Sequence, residues 1–210
     1  MGKIEITKKV LGICATNCYT VVDTETKEAL IIDPADRADV LIRDWKDKGV
    51  TPQAVLLTHG HFDHIGALAG VKKEYPDIKV YAAAEEKEVM ESPALNLSSS
   101  FGAAFTAQAD IYLEDGAEIE VLGRTCKCLL VPGHTKGGMC YYFPEENVVF
   151  TGDTLFCYSV GRTDFPTGDA KALEDAIREK LFTLPDETLV LPGHDAQTMI
   201  GKEKKGNPYF

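Results

Sequence analysis

The sequence predicts a mixed α/β (α+β) fold in which two β-sheets pack face to face with helices outside, and three observations carry that prediction. Short apolar and β-branched runs come in two batches, each followed by segments with helical spacing. Elements in that order bury their apolar faces by stacking sheet on sheet and helix on sheet. No fixed-period repeat, low-complexity tract or long Pro/Gly/Ser linker interrupts the chain, so residues 1–210 read as one domain. Finally, several apolar runs end in a small residue beside a histidine or aspartate, which puts candidate chemistry at strand ends.

In the first batch, Ile4 to Thr7 alternates, Tyr19 to Val22 is rich in β-formers, and Ala29 to Ile32 is an apolar run ended by Asp33-Pro34. Helical spacing follows from Ala38 to Lys48, with Val40, Leu41 and Trp45 on one face and Gly49 as the stop. Ala54 to Leu57 reads as a buried strand delivering Thr58 and a histidine-rich loop. Ile65 to Tyr75 reads as a helix closed by Pro76, Val80 to Ala82 as a strand, and Glu85 to Glu91 as a helix. Ser92 to Asp110 has poor periodicity and reads as a long loop with at most a helical turn; such loops tend to be functional. The second batch holds strands at Ile111 to Leu113, Glu118 to Leu122, Thr125 to Val131, Met139 to Phe143 and Val148 to Phe150. A helix at Asp169 to Lys180, a strand at Leu189 to Leu191 and a helix at Gln197 to Lys205 complete it.

Composition narrows the function. No apolar run approaches the roughly 20 residues of a membrane span. Met1 to Ile13 lacks the apolar core and cleavage site of a signal peptide, so a cytoplasmic protein is expected. A net charge of −11 opposes long-range attraction to nucleic-acid phosphates and anionic lipids, so neither partner is expected. A small anionic substrate stays open, because bound divalent cations reverse the local field. The oligomeric state is left undetermined. The six cysteines form no C-x-x-C pair, which removes the zinc-ribbon and thioredoxin spacings. They read as reduced, partly buried thiols.

All five histidines sit in turn-like contexts at strand ends. His59, His61 and His64 form T-H-G-H-F-D-H with Asp63; His134 sits in P-G-H-T, His194 in P-G-H-D, and Asp153 in T-G-D-T. A strand end fixes the backbone, and a neighbouring glycine lets the chain turn sharply and approach a metal closely. Imidazole suits zinc, iron and manganese, while carboxylate compensates charge and can bridge. His59 and His61 can point inward from one tight loop, with Asp63 and His64 facing a second position. Two metals about 3.5–4 Å apart can share a water, depress its pKa and hold it as hydroxide.

These four motifs, in the chain order T-H-G-H-F-D-H, P-G-H-T, T-G-D-T, P-G-H-D and over essentially the whole chain, resemble the ligand motifs of the metallo-β-lactamase superfamily. Within it, G-R-T-D-F-P-T-G-D (Gly161 to Asp169) and the C-terminal I-G-K-E-K-K-G-N-P-Y-F are similar to short glyoxalase II-like (hydroxyacylglutathione hydrolase-like) proteins. The resemblance implies a four-layer αββα sandwich with the metals at one edge of the sheets. It implies two divalent ions, Zn2+ first with Fe or Mn as alternatives. His59, His61 and His134 would hold one, Asp63, His64 and His194 the other, and Asp153 would bridge. A metal-bridging hydroxide would attack a small-molecule thioester, with Asp63, His59, His61 and Asp153 as the catalytic set and Arg162 meeting a substrate carboxylate.

Several departures qualify the substrate. The extra C-terminal helical domain of full-length glyoxalase II is not expected here, and Asp195-Ala196 follows the last histidine where the larger enzymes carry an aromatic residue. A mononuclear iron persulfide dioxygenase, which shares G-R-T-D-F, is the main alternative, and a lactonase with the same ligands is another. True β-lactamases commonly have cysteine where Asp153 stands. Among other residues, Asp33 is expected to serve a turn or to orient a ligand histidine, and Asp169 to cap a helix. Asn96 to Phe105 is a candidate cover for the substrate, with a plain surface loop as the competing reading.

Overall fold

The computed structural model describes residues 2–210. In chain order, β1 (Ile4–Leu11), β2 (Thr16–Asp23) and β3 (Glu28–Ile32) run antiparallel, and α1 (Ala38–Asp47) then crosses to β4 (Thr51–Leu56). The short helices α2 (Phe62–Ile65) and α3 (Leu68–Glu74) lead to β5 (Lys79–Ala83), and α4 (Lys87–Glu91) with a long loop leads to β6 (Ile111–Leu113). From β3 onward this first sheet is parallel, in the order β1-β2-β3-β4-β5-β6. The second half supplies β7 (Glu118–Val121), β8 (Arg124–Leu130), β9 (Met139–Phe143) and β10 (Val148–Gly152). A small hairpin, β11 (Leu155–Phe156) and β12 (Ser159–Val160), precedes α5 (Ala170–Ala176), β13 (Leu189–Pro192), β14 (Thr198–Met199) and α6 (Ile200–Gly206). The second sheet has the order β14-β13-β10-β9-β8-β7, with β10 and β13 parallel.

Three apolar layers follow from strand periodicity. On β3, Leu30 and Ile32 point between the sheets while Ala29 and Ile31 point outward, so the strand is buried on both faces and reads as a continuous apolar run. Tyr19, Leu30 and Leu56 meet Cys128, Met139, Tyr141 and Phe150 between the sheets. Leu41 and Trp45 of α1 and Leu68 and Val71 of α3 cover the outer face of the first sheet. Leu173, Ile177, Leu181 and Ile200 cover the outer face of the second. The result is the four-layer αββα sandwich. Each fully buried large side chain contributes roughly 1.5–3 kcal/mol to this stack. No helix of the described residues is long and apolar enough to cross a membrane.

The structure redraws several expected elements. The helix expected from Ile65 begins at Phe62, so Asp63 and His64 lie in a helical turn with His61 as its N-terminal flank. It then breaks, because the Ala67 N–H donates to the Pro34 carbonyl (2.9 Å) instead of continuing the ladder. The buried face of α1 consists of Leu41 and Trp45 with Ala38 and Ile42 beside them, not Val40. Thr198 and Met199 pair with β13 before the last helix starts at Ile200. The helix from Ala170 ends in a π-helical turn at Ile177–Leu181. Asp169 caps that helix by accepting the Ala172 N–H (2.9 Å). Ser92 to Asp110 is a long loop with one 3-10 turn at Ser98–Phe101. The β11–β12 hairpin was not expected.

Candidate metal centre

All seven predicted donors converge at one edge of the sandwich, delivered by the loops that leave β4, β8, β10 and β13 and by α2. His61 Nδ1 lies 3.1 Å from His59 Nε2 and 3.0 Å from His134 Nε2. Beside this triad, His64 Nε2 and His194 Nε2 stand 3.4 Å apart, with Asp63 Oδ2 at 3.6 and 3.4 Å from them. Asp153 sits between the sets: Oδ1 is 3.3 Å from His64 Nε2, and Oδ2 is 3.3 Å from His194 Nε2 and 3.6 Å from His134 Nε2.

The rings are held from behind. His64 Nδ1 donates to Asp33 Oδ2 (2.9 Å), and His134 Nδ1 donates to the Arg162 carbonyl (2.7 Å). Both rings therefore carry their proton on Nδ1 and present an Nε2 lone pair to the cluster. Asp33 is itself fixed by the Thr58 N–H (2.8 Å) and hydroxyl (2.6 Å), at a left-handed φ of 49°. Thr16 Oγ1 donates to Asp63 Oδ2 (2.7 Å). The expectation that Asp33 orients a histidine is met. Gly193 is required by the packing: a Cβ there would stand 2.3 Å from Asp153 Oδ1 and 2.7 Å from His64 Cε1.

This donor set fits divalent cations. Lone pairs of several imidazoles face one another, and Asp153 Oδ1 is buried without a hydrogen-bond partner. Burial, aided by the neighbouring imidazoles, pushes His59 far below the ordinary histidine range and His61 down to about 3, so both stay neutral. Burial also acts to lower His64, but Asp63, Asp153 and Asp33 outweigh it and hold this imidazole well above its usual range. His194 is raised too, because Asp153 overcomes its burial. Burial works to raise Asp153, but His64, His194 and His134 hold it far below the carboxylate range.

The cluster opens into a cavity of about 440 Å³. Leu97 and Phe101 of the long loop line it, and Phe101 stacks on Phe62 with ring centroids 4.4 Å apart. Phe156, Phe165, Cys14 and Asp195 line it as well. Arg162 is at this wall, and its Nε and Nη2 donate to Asp164 Oδ1 and Oδ2, both at 2.7 Å. One residue with a clear positioning role escaped the sequence reading. Glu86, fully buried, accepts the Gly60 N–H (2.8 Å) and the Thr135 hydroxyl (3.0 Å), and so ties the His59–His61 loop to the His134 loop. In A-E-E-K-E it looks like a solvated helix face, and no local pattern marks it out.

The fold and this donor set define a protein with a site built to hold metal ions. The profile of the Metallo-beta-lactamase superfamily matches residues 11–194. The chain is 38% identical over 202 residues to "Probable metallo-hydrolase YqgX" of Bacillus subtilis, covering 95% of this chain and 94% of the relative. It is 35% identical over 200 residues to "Hydroxyacylglutathione hydrolase GloC" of Haemophilus influenzae, covering 92% of each. Among solved structures it is similar to the BLEG-1 B3 metallo-beta-lactamase, with a TM-score of 0.92, 39% identity, and 98% and 99% of the two chains covered. This chain belongs to the metallo-β-lactamase superfamily and is a metal-dependent hydrolase of it.

Proposed function

We propose that the protein is a dinuclear thioester hydrolase of the hydroxyacylglutathione hydrolase type. The observation that carries this reading is the pair of donor sets at one cavity, with the Asp153 carboxylate within 3.6 Å of His64, His134 and His194. The relative named for hydroxyacylglutathione hydrolysis adds to it. In this reading His59, His61 and His134 hold one ion and Asp63, His64 and His194 hold the other, with zinc as the first candidate. Bound ions would supply Lewis acidity and an activated water. The chain's own groups orient the reaction. Asp33 and the Arg162 carbonyl keep the His64 and His134 rings turned inward, and Thr16 fixes Asp63 so that its carboxylate can take up a proton at the cluster. Phe62 and Phe101 form an apolar wall of the cavity against which the apolar part of a substrate would pack. Arg162 stands where it can contact the distal end of a small substrate. A cytoplasmic setting suits such a substrate.

The test pairs metal analysis with thioester turnover. We expect two ions per chain and hydrolysis of thioesters, S-D-lactoylglutathione among them, that a chelator abolishes and His61→Ala lowers by at least about 100-fold. One iron per chain with oxygen consumed on a persulfide would replace this reading with a mononuclear dioxygenase.

A further inference from the structure

The cavity beyond the donors is apolar and poor in cations. Phe62, Phe101, Phe156, Phe165, Leu97 and Val160 form its wall. Phe101 is 51% exposed, so this apolar wall reaches the protein surface. Among the described residues lining the cavity, Arg162 is the one lysine or arginine, whereas Asp195 adds a carboxylate beyond the donor cluster.

Arg162 is already engaged on two sides. Its Nε–Nη2 edge makes a bidentate pair with Asp164. Its face lies over the Phe165 ring, with the guanidinium carbon 3.9 Å from the centroid. A substrate carboxylate seeking that edge must displace Asp164 and then sit beside it, because only Thr163 separates the two pair members along the chain. The main chain of Arg162 cannot swing away to help, since its carbonyl holds the His134 ring.

We propose that this cavity selects thioesters with an apolar body and an uncharged thiol, and that Asp164 sets the preference by occupying the fork of Arg162. The proposal rests on the thioesterase reading for its chemistry, but the charge preference belongs to the cavity itself. The neutral body gains by burying apolar area against the phenylalanines. The charged thiol meets a filled fork and a nearby like charge. The Arg162–Asp164 pair is solvent-exposed, with side-chain exposures of 57% and 67%, so its competition is modest. A several-fold effect is expected rather than an absolute block.

The experiment measures binding and turnover separately on the metal-loaded full chain. Two non-hydrolysable thioethers with the same benzyl group, one on N-acetylcysteamine and one on glutathione, are titrated by calorimetry. We expect the neutral thioether to bind tighter. In Asp164→Asn the affinity ratio should shift toward the glutathione compound by about fivefold, and Arg162→Gln in that background should cancel the shift. Tighter binding of the glutathione thioether by the wild type, a ratio that moves less than twofold in Asp164→Asn, or no binding of the neutral thioether overturns the proposal. The matching phenylacetyl thioesters then report hydrolysis. Selective binding without any turnover leaves the preference standing and removes the thioesterase reading. Turnover with the glutathione thioester preferred does the reverse.

Discussion

His64 and His194 hold protons more tightly than His59 and His61, although all four crowd the same few ångströms. The cause is the distribution of carboxylates. Asp63, Asp153 and Asp33 lie around His64, while His59 and His61 are buried among other imidazoles. Metal ligands must be unprotonated, so protons compete with metal most strongly where the imidazole pKa is raised. Protons thus compete for His64 and His194 at higher pH than for His59 and His61. We therefore expect acidification to strip the Asp63–His64–His194 position first. Dialysis near pH 5.5 should leave about one ion per chain, and simultaneous loss of both would contradict this order. The motifs that converge were legible in the sequence because their loops open on a small residue after an apolar run, a local pattern. Glu86 and the Asp164 lock on Arg162 were not, because their meaning depends on which loops or side chains they meet after folding.

At the scale of elements, strands were read more securely than helices. An alternating or doubly buried strand carries its own signature, as β3 does, whereas a helix end depends on where a backbone N–H finds its acceptor. The break after α2 illustrates this: nothing between Ile65 and Tyr75 reports that Ala67 will bond to Pro34. The short α4 owes its importance to Glu86 just before it. Glu86→Ala would leave the Gly60 N–H and the Thr135 hydroxyl without their buried acceptor, at about 1–3 kcal/mol each. We expect a loss of roughly 3–4 kcal/mol in urea unfolding, together with weaker metal retention. Burial raises the Glu86 carboxyl to about 7, despite the hydrogen bonds that oppose it. With the folded-state value above the unfolded one, its contribution to stability is full below the ordinary carboxyl range and fades as pH rises through about 7. Glu86→Gln should flatten that part of the stability–pH curve relative to wild type.

At the scale of the molecule, the sandwich was legible because its apolar runs outnumber the faces one sheet could bury, and two sheets with helices outside satisfy them all. The way the halves are joined became visible only in three dimensions. The Tyr141 hydroxyl donates to the Leu57 carbonyl (2.8 Å), the Tyr19 hydroxyl to the Pro192 carbonyl (2.7 Å), and the Asn17 N–H to the Gly193 carbonyl (2.7 Å). Saturating metal should stabilise this junction by mass action, about 4 kcal/mol at a thousandfold excess over the dissociation constant. The gain should appear as slower amide exchange in β4 and β13 together. Protection confined to one strand would contradict a shared junction.

The first half of the chain contributes His59, His61, Asp63 and His64, and the second contributes His134, Asp153 and His194. Neither half alone can assemble either complete donor set around Asp153. If ions bind the two donor sets as proposed, each complete set needs residues from both halves, so metal loading would report that the second sheet has closed over the first.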